Sequence, residues 1–186
     1  MQLTNYRGTE TEIIVPNRIG SKRVTRIGDH CFAPGPHWHM KTTVTNRETR
    51  RNIKSVTLSV GIREIGLFAF DGCTSLQEIT LSEGLRTIGE GAFMFCGSLR
   101  TVVIPRSVIG IFVGAFSYCY NLEDVYISSK ETKLGLEDEK MRRDRSRHIV
   151  EAKPVFYASD KVTIHAPAGS YAEQYAKEHG IPFVAE

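Results

Sequence analysis

Five columns of residues recur at intervals of 23 along the chain, and this period constrains the fold more than any other feature. Each column repeats three times, and all five keep the same order. The columns are Ile65/Ile88/Ile111, Ala69/Ala92/Ala115, Phe70/Phe93/Phe116, Cys73/Cys96/Cys119 and Leu76/Leu99/Leu122. A fixed period of this length is typical of a stacked repeat array, in which one supersecondary unit lies on the next.

Each unit contains one short stretch in which apolar and polar residues alternate, as they do in a half-buried strand. These stretches are residues 56–58, 79–81, 102–104 and 125–127. A unit of 23 residues that holds a strand has no room for a full helix as well. The alanine-phenylalanine segments are therefore predicted to be short helical or 3₁₀ turns on the back of the coil.

Two insertions interrupt the period. The first separates Phe32 from Phe70 by 38 residues, one period plus 15, and its extra residues lie in 33–51. The second separates Phe116 from Phe156 by 40 residues, one period plus 17, and lies in 128–153. We expect one domain over residues 1–186, with about five repeats around these two insertions.

The end of the chain has the signals of a capping helix. Ser170 and Glu173 have the spacing of a capping box, Gly180 is a helix stop and Pro182 follows it as a breaker. An amphipathic helix is predicted over 170–179, within a cap of residues 166–186. Few apolar residues precede Ile13, so the other end of the array is predicted to be less well capped.

The segment from Leu99 to Leu122 follows the pattern L-x-x-I-x-L/I-P/S-x-x-[LIV]-x-x-I-G-x-x-A-F-x-x-C-x-x-L. This pattern resembles the BspA-like leucine-rich repeat, and the resemblance covers most of residues 11–186. It implies an α/β leucine-rich-repeat solenoid with short parallel strands, short helical or 3₁₀ back segments and a C-terminal capping helix. Proteins of this family are associated with varied ligands, often on cell surfaces. Phe112 stands where Gly66 and Gly89 stand, so a local difference is expected in that turn.

The cysteines and histidines are weak evidence for chemistry. Three stacked cysteines cannot all pair, so reduced thiols in the core are predicted. Cys31, His37 and His39 are the best candidates for a zinc site, which needs three or four converging ligands. No CxxC pair supports such a site, and an ordinary pair of loop histidines is the alternative. We therefore predict neither a metal nor a cofactor.

Motifs of common enzymes do not occur in the sequence. It contains no nucleophile elbow, phosphate loop, dinucleotide fingerprint or HExxH, so a non-enzyme is predicted. No run of 18 apolar residues occurs, so no membrane span is expected. The first residues contain no apolar segment of a signal peptide. The expected location is cytoplasmic if the chain is complete, and cell-surface or secreted if it is an excised domain.

The leading hypothesis is a non-catalytic module that mediates protein–protein or adhesion-type contacts through its sheet face and its inserted loops. Outward strand residues form two ladders, Thr57, Thr80, Val103, Tyr126 and Ser55, Glu78, Thr101, Asp124. The simplest alternative is that these residues are only good solvent-facing strand formers. The candidate ligand-binding residues are Glu78, Thr80, Val103, Asp124, Tyr126, Trp38, Arg142, Arg143 and Arg145.

Two other functions stay open. Residues 33–54 have a net charge of +4 and residues 128–153 of +2, so these segments make the chain basic. They could bind nucleic acid or another polyanion through Arg50, Arg51 and the arginines at 142, 143, 145 and 147. The less well capped N-terminal edge could instead support self-association as a scaffold. We expect a protein partner of unknown identity, and a monomer or a weakly self-associating chain.

Overall fold

The computed structural model describes residues 1–35, 47–137 and 153–186. Fifteen strands and two helices lie in these residues. In chain order they are β1 (Gln2–Leu3), β2 (Glu12–Val15), β3 (Arg18–Ile19), β4 (Lys22–Arg23), β5 (Arg26–Ile27), α1 (Arg47–Arg51), β6 (Ser55–Leu58), β7 (Glu64–Ile65), β8 (Glu78–Thr80), β9 (Thr87–Ile88), β10 (Thr101–Ile104), β11 (Gly110–Phe112), β12 (Asp124–Ile127), β13 (Lys133–Leu136), β14 (Thr163–Ala166), α2 (Tyr171–His179) and β15 (Phe183–Ala185).

Most of the strands belong to two parallel ladders that run along the coil. The front ladder contains the predicted strands, as β2-β6-β8 followed by β10-β12-β14-β15, with β8 beside β10. The side ladder is a sheet in the order β1-β5-β7-β9-β11-β13. Each regular unit thus has two strands, whereas the sequence analysis places only one in it. β3 and β4 form a small antiparallel hairpin outside both ladders.

The side ladder continues into the second predicted insertion. Residues 133–136, which fall within the predicted insertion 128–153, form β13 and pair with β11. The register of this pair shifts between Ile111 and Phe112, and the expected local difference at Phe112 is therefore confirmed. A bulge of this kind bends the strand locally without ending the ladder.

The alanine-phenylalanine segments are chains of tight turns on the third side of the coil. Within one coil, the Ala92 amide donates to the carbonyl of Gly89 and the Cys96 amide donates to that of Phe93, both at 3.2 Å. Between coils, the Phe93 amide donates to the carbonyl of Ala115 at 2.8 Å. Alternate amides therefore bond within the turn and to the next coil, so the buried backbone groups of this side are satisfied.

The phenylalanine column is a continuous stack of rings through the core. Neighbouring rings from Phe32 to Phe116 have centroids 4.8–5.1 Å apart and are nearly parallel. Phe156 extends the stack at 5.9 Å. A tyrosine lies at each end, with Tyr6 at 5.2 Å from Phe32 and Tyr175 at 6.4 Å from Phe156. Tyrosine suits these positions because its ring covers the apolar stack while its hydroxyl can hydrogen-bond.

The N-terminal end of the array is better covered than the sequence predicts. β1 pairs with β5, and Tyr6 packs on the first phenylalanine ring. The buried guanidinium of Arg50 donates to the carbonyl of Ala33 at 2.8 Å and to that of Tyr6 at 2.6 Å. It also donates to the side chain of Asn5. The few apolar residues before Ile13 are thus supplemented by hydrogen bonds from a residue distant in sequence.

The C-terminal end is closed by α2, as expected. The Ser170 hydroxyl accepts a bond from the Glu173 amide at 3.2 Å, and the Glu173 carboxylate accepts one from the Gly169 amide at 2.6 Å. Gly180 ends the helix in the left-handed conformation with φ of 65°, which glycine adopts without strain. Tyr175 is buried, and its hydroxyl accepts a bond from the Val155 amide at 2.9 Å.

Candidate functional site

Outward side chains of the front ladder form one row that changes character along the coil. We call this the outward row, and its members are Ile14, Thr57, Thr80, Val103, Tyr126, His165 and Val184. The middle of the row is threonine, a residue that suits a solvent-facing strand. Towards the C-terminal end, Val103 is 55% exposed and Val184 is 44% exposed, with two ring side chains between them.

These two rings belong to Tyr126 and His165. β12 and β14 pair in parallel with Tyr126 directly opposite His165. Their ring centroids are 4.4 Å apart and the planes are inclined by 20°, which is a stacked arrangement. Both side chains are half-buried. The sheet therefore presents a flat, preorganised ring surface flanked by two exposed valines.

Two carboxylates lie at the edges of the histidine ring. Nε2 of His165 is 2.7 Å from Oδ1 of Asp124, and Nδ1 is 3.5 Å from Oε1 of Glu186. Because a carboxylate accepts, the shorter contact is a hydrogen bond that Nε2 of His165 donates. These contacts fix the orientation of the imidazole. They also leave an acidic rim around an aromatic centre.

The repeats match a known family. A model of the BspA type leucine-rich repeat region matches residues 47–137 in six copies. The chain contains BspA-type leucine-rich repeats. The predicted resemblance is thus confirmed for this part of the chain.

Solved structures extend the similarity of the BspA-type repeats beyond the matched segment. A leucine-rich repeat protein of T. pallidum is 25% identical, with a TM-score of 0.66 over 88% of this chain and 62% of its own length. A leucine-rich repeat protein of Bacteroides capillosus is 28% identical, with a TM-score of 0.52 over 68% of this chain and 85% of its own. These matches confirm the leucine-rich-repeat fold class.

A third structure supports the fold alone. The pneumococcal vaccine antigen PcpA is 17% identical, with a TM-score of 0.60 over all of this chain and 44% of its own length. The chain therefore spans less than two thirds of both PcpA and the T. pallidum protein. No curated protein matches it.

The structure brings together some of the predicted site residues. Asp124, Tyr126 and Val103 are neighbours on β10 and β12, at the C-terminal part of the outward face of the BspA-type repeats. Glu78 and Thr80 are exposed on β8 of the same ladder. Trp38, Arg142, Arg143 and Arg145 lie outside the described residues, as do His37, His39 and Arg147.

Two residues of the site were missed by the sequence analysis, His165 and Glu186. His165 could have been found from the sequence, because it alternates with Thr163 and Ile164. If Ile164 is buried, this alternation places His165 on the outward face. Glu186 follows β15 at the end of the chain, and its approach to His165 depends on the path of the chain after α2.

Arg50 does not belong to a basic surface. It is 2% exposed and its two terminal nitrogens donate to groups of the protein, so it cannot contribute to the predicted polyanion contact. Burial lowers the pKa of its guanidinium. Arg51, the next residue, is exposed.

The thiol of Cys31 is also buried, and burial raises its pKa to about 12. Among residues 1–35, 47–137 and 153–186, no three His, Cys, Asp or Glu side chains form a group that could hold a metal ion. In the same part of the chain, no helix is long and apolar enough to cross a bilayer.

Proposed function

We propose that the protein is a non-catalytic binding module whose front ladder contacts a protein partner around Tyr126 and His165. The observation that carries this proposal is the stacked pair of rings, bordered by Asp124 and Glu186. Protein interfaces combine an aromatic, well-packed centre with a polar rim. The BspA-type repeats are consistent with this role, because stacked repeats typically serve as extended binding surfaces.

The contrast within the outward row supports the choice of this end of the ladder. Thr57 and Thr80 are typical of a solvent-facing strand, and the interpretation of the row as simple strand formers accounts for them. It does not account for Val103 and Val184, which expose apolar side chains on both sides of the ring pair. Because the rings are already stacked, the Tyr126 and His165 side chains would lose little conformational freedom when a partner binds.

Self-association is a second candidate, and one observation favours it. Ile14 on β2 is 74% exposed, and within the described residues β2 pairs only with β6. An edge strand with an exposed apolar residue can pair with another chain. Sedimentation over a range of protein concentrations tests this candidate. A monomer at the highest concentration would exclude self-association, and an Ile14→Lys variant that associates like the wild type would exclude the β2 edge as its interface.

The main proposal is tested by photocrosslinking on the front ladder. A benzoylphenylalanine placed at position 103 should capture a discrete partner from cell extract, and the Tyr126→Ala change should remove that product. The matched control is Thr57→Ala, which lies in the same row away from the rings and should leave the product intact. Equal capture with Tyr126→Ala and Thr57→Ala would rule out the ring pair as the contact.

Salt separates this function from polyanion binding. Binding to phosphates weakens steeply as salt rises, because counterions are released on contact. A contact centred on Tyr126 and His165 should weaken far less. Loss of the product at physiological salt, with nucleic acid recovered at low salt, would contradict the proposal and favour the basic segments.

A further inference from the structure

A cleft of about 290 Å³ lies at the C-terminal end of the coil, away from the residues of the proposed protein contact. One wall comes from the last turn segment and the other from the chain that follows α2. The lining residues include Pro154, Tyr157 and Asp160 on the first wall and Gly180, Ile181 and Pro182 on the second. Its volume is near the lower end of ligand pockets, which suits a single side chain or a small molecule.

The walls of the cleft are polar and apolar in nearly equal parts. Phe156, Val162, Ile181 and the two prolines supply hydrocarbon surface for an aliphatic stem. Tyr157 is 38% exposed, and Nζ of Lys153 lies 4.6 Å from its ring centroid. This ring therefore already interacts with one cation through its π system.

The cleft has one carboxylate in its lining, that of Asp160, and the ammonium group of Lys153 lies at its Tyr157 wall. Asp160 is exposed and is the only carboxylate among the described lining residues, which include neither lysine nor arginine. Among the described residues, no cationic group lies within ion-pair distance of Asp160. The adjacent Lys161 directs its Nζ to Oδ1 of Asn121, at 3.0 Å.

The C-terminal end of α2 also favours a cation in the cleft. His179 is the last residue of α2 and Gly180 is its cap, and both line the cleft. Backbone carbonyls at a helix C-terminus carry partial negative charge and favour cations. The His179 ring is fixed against Tyr175, with centroids 4.1 Å apart.

We propose that this cleft binds an arginine side chain of a partner polypeptide. The aliphatic stem would lie along Pro154, Ile181 and Pro182, as long basic side chains do on apolar surfaces. The guanidinium would pair with the Asp160 carboxylate, whose planar geometry it matches, beside the backbone carbonyls at the end of α2. The cleft shares no residue with the ring pair on the front ladder, so the two proposed contacts are tested independently.

The test is a titration of ¹⁵N-labelled protein followed by amide chemical shifts. The probe is acetyl-Gly-Arg-Gly-amide, and the matched neutral probe is acetyl-Gly-citrulline-Gly-amide. The arginine peptide should shift the amides of Asp160, Gly180 and Ile181 in a saturable way, and the citrulline peptide should bind about tenfold more weakly. Raising the salt concentration should weaken the arginine peptide selectively.

Two variants complete the experiment. Asp160→Asn should weaken the arginine peptide about fivefold, and Glu131→Gln, the same loss of one exposed carboxylate elsewhere, should leave it unchanged. Because Asp160 is exposed, the spectrum of Asp160→Asn also shows directly whether the fold is kept. Equal binding of both peptides, unchanged binding by Asp160→Asn, or shifts confined to other surfaces would each overturn the proposal. The absence of saturable shifts would overturn it as well.

Discussion

The hydroxyl of Ser159 donates a hydrogen bond of 2.8 Å to the carbonyl of Phe116. Ser159 lies three residues after Phe156, where the three preceding coils have cysteine. The thiols make the same contact, each to the phenylalanine carbonyl of the preceding coil. The distances are 3.5 Å from Cys73 to Phe32, 3.3 Å from Cys96 to Phe70 and 3.1 Å from Cys119 to Phe93. The column thus selects a small buried side chain that can donate, and a thiol or a hydroxyl meets this need.

The cysteine column predicts that serine and alanine substitutions have different effects on the free energy of unfolding. Cys119→Ser keeps a donor for the Phe93 carbonyl and should change the free energy of unfolding by less than about 1 kcal/mol. Cys119→Ala removes one of the two donors to that buried carbonyl, which keeps only the Cys96 amide, and should cost about 1–2 kcal/mol. Urea denaturation measures both. Equal costs would show that the column selects volume and not hydrogen bonding.

Ser159 should be more sensitive than the cysteines. Its hydroxyl also accepts a bond from the Cys119 amide at 2.9 Å, so Ser159→Ala breaks two buried contacts. We expect a loss of about 2–3 kcal/mol, and a much smaller loss for Ser159→Cys. If Ser159→Cys is as damaging as Ser159→Ala, the equivalence of the two residue types is wrong.

Phe93 should be among the most costly residues to truncate. It is fully buried, and its ring lies between those of Phe70 and Phe116, both at 5.1 Å. Phe93→Ala should lower the free energy of unfolding by about 3–5 kcal/mol, because a cavity interrupts the stack. Phe93→Leu, which refills much of the volume, should cost clearly less. A similar midpoint of urea unfolding for both variants would argue against the stack as a continuous core.

The buried thiols make stability depend on alkaline pH. Burial raises the pKa of Cys31 and of Cys119 from 9.0 to about 12, and it raises those of Cys73 and Cys96 as well. The unfolded chain therefore loses its thiol protons at lower pH than the folded protein does. The stability from this difference is complete below about pH 9 and is lost as pH rises towards about 12.

Two measurements check this dependence. Urea midpoints should fall steadily above about pH 9, and a thiol reagent should react only after unfolding. A Cys96→Ser variant should show a shallower fall, since it has one thiol fewer. Rapid labelling of the native protein at neutral pH would contradict the predicted burial.

Arg50 should hold the first residues of the chain in place. Arg50→Met keeps most of the volume but cannot donate to the carbonyls of Ala33 and Tyr6. We expect faster proteolytic cleavage within residues 1–10, with little change in the rest of the coil. Arg51→Met, at the exposed neighbouring position, is the control and should be cleaved like the wild type. Equal cleavage of both variants would contradict the role of Arg50.

The front ladder could be predicted because its strands show alternation, while the side ladder could not. β5, β7 and β9 are two residues long, and each buries a single isoleucine. A pattern with one apolar residue per strand has no visible period, so only the backbone pairing defines it. The N-terminal cap was missed for a related reason, since the bonds of Arg50 join residues more than 40 positions apart.

Part of the candidate site on the front ladder could be predicted from the sequence. Asp124 and Tyr126 follow from the period, but His165 follows an insertion that changes the count. Phe116 and Phe156 are 40 apart, whereas the paired residues Tyr126 and His165 are 39 apart. A step of 40 would place the buried Ala166 opposite Tyr126, and a shift of one residue exchanges the two faces of a strand. The cleft at Asp160 is even harder to predict from the sequence, because its walls meet only when α2 folds back on the last coil.

Because the regular coils all have the same length, the front ladder can be shortened by one whole coil. Removing residues 83–105, which is one period, would join Ser82 to Arg106 with every column still in phase. The pair of rings at Tyr126 and His165 would then stay intact but would lie about 4.8 Å nearer to Thr57. The length of the front ladder can therefore change over evolution, or by design, in whole coils, while the contact between Tyr126 and His165 at its C-terminal end stays the same.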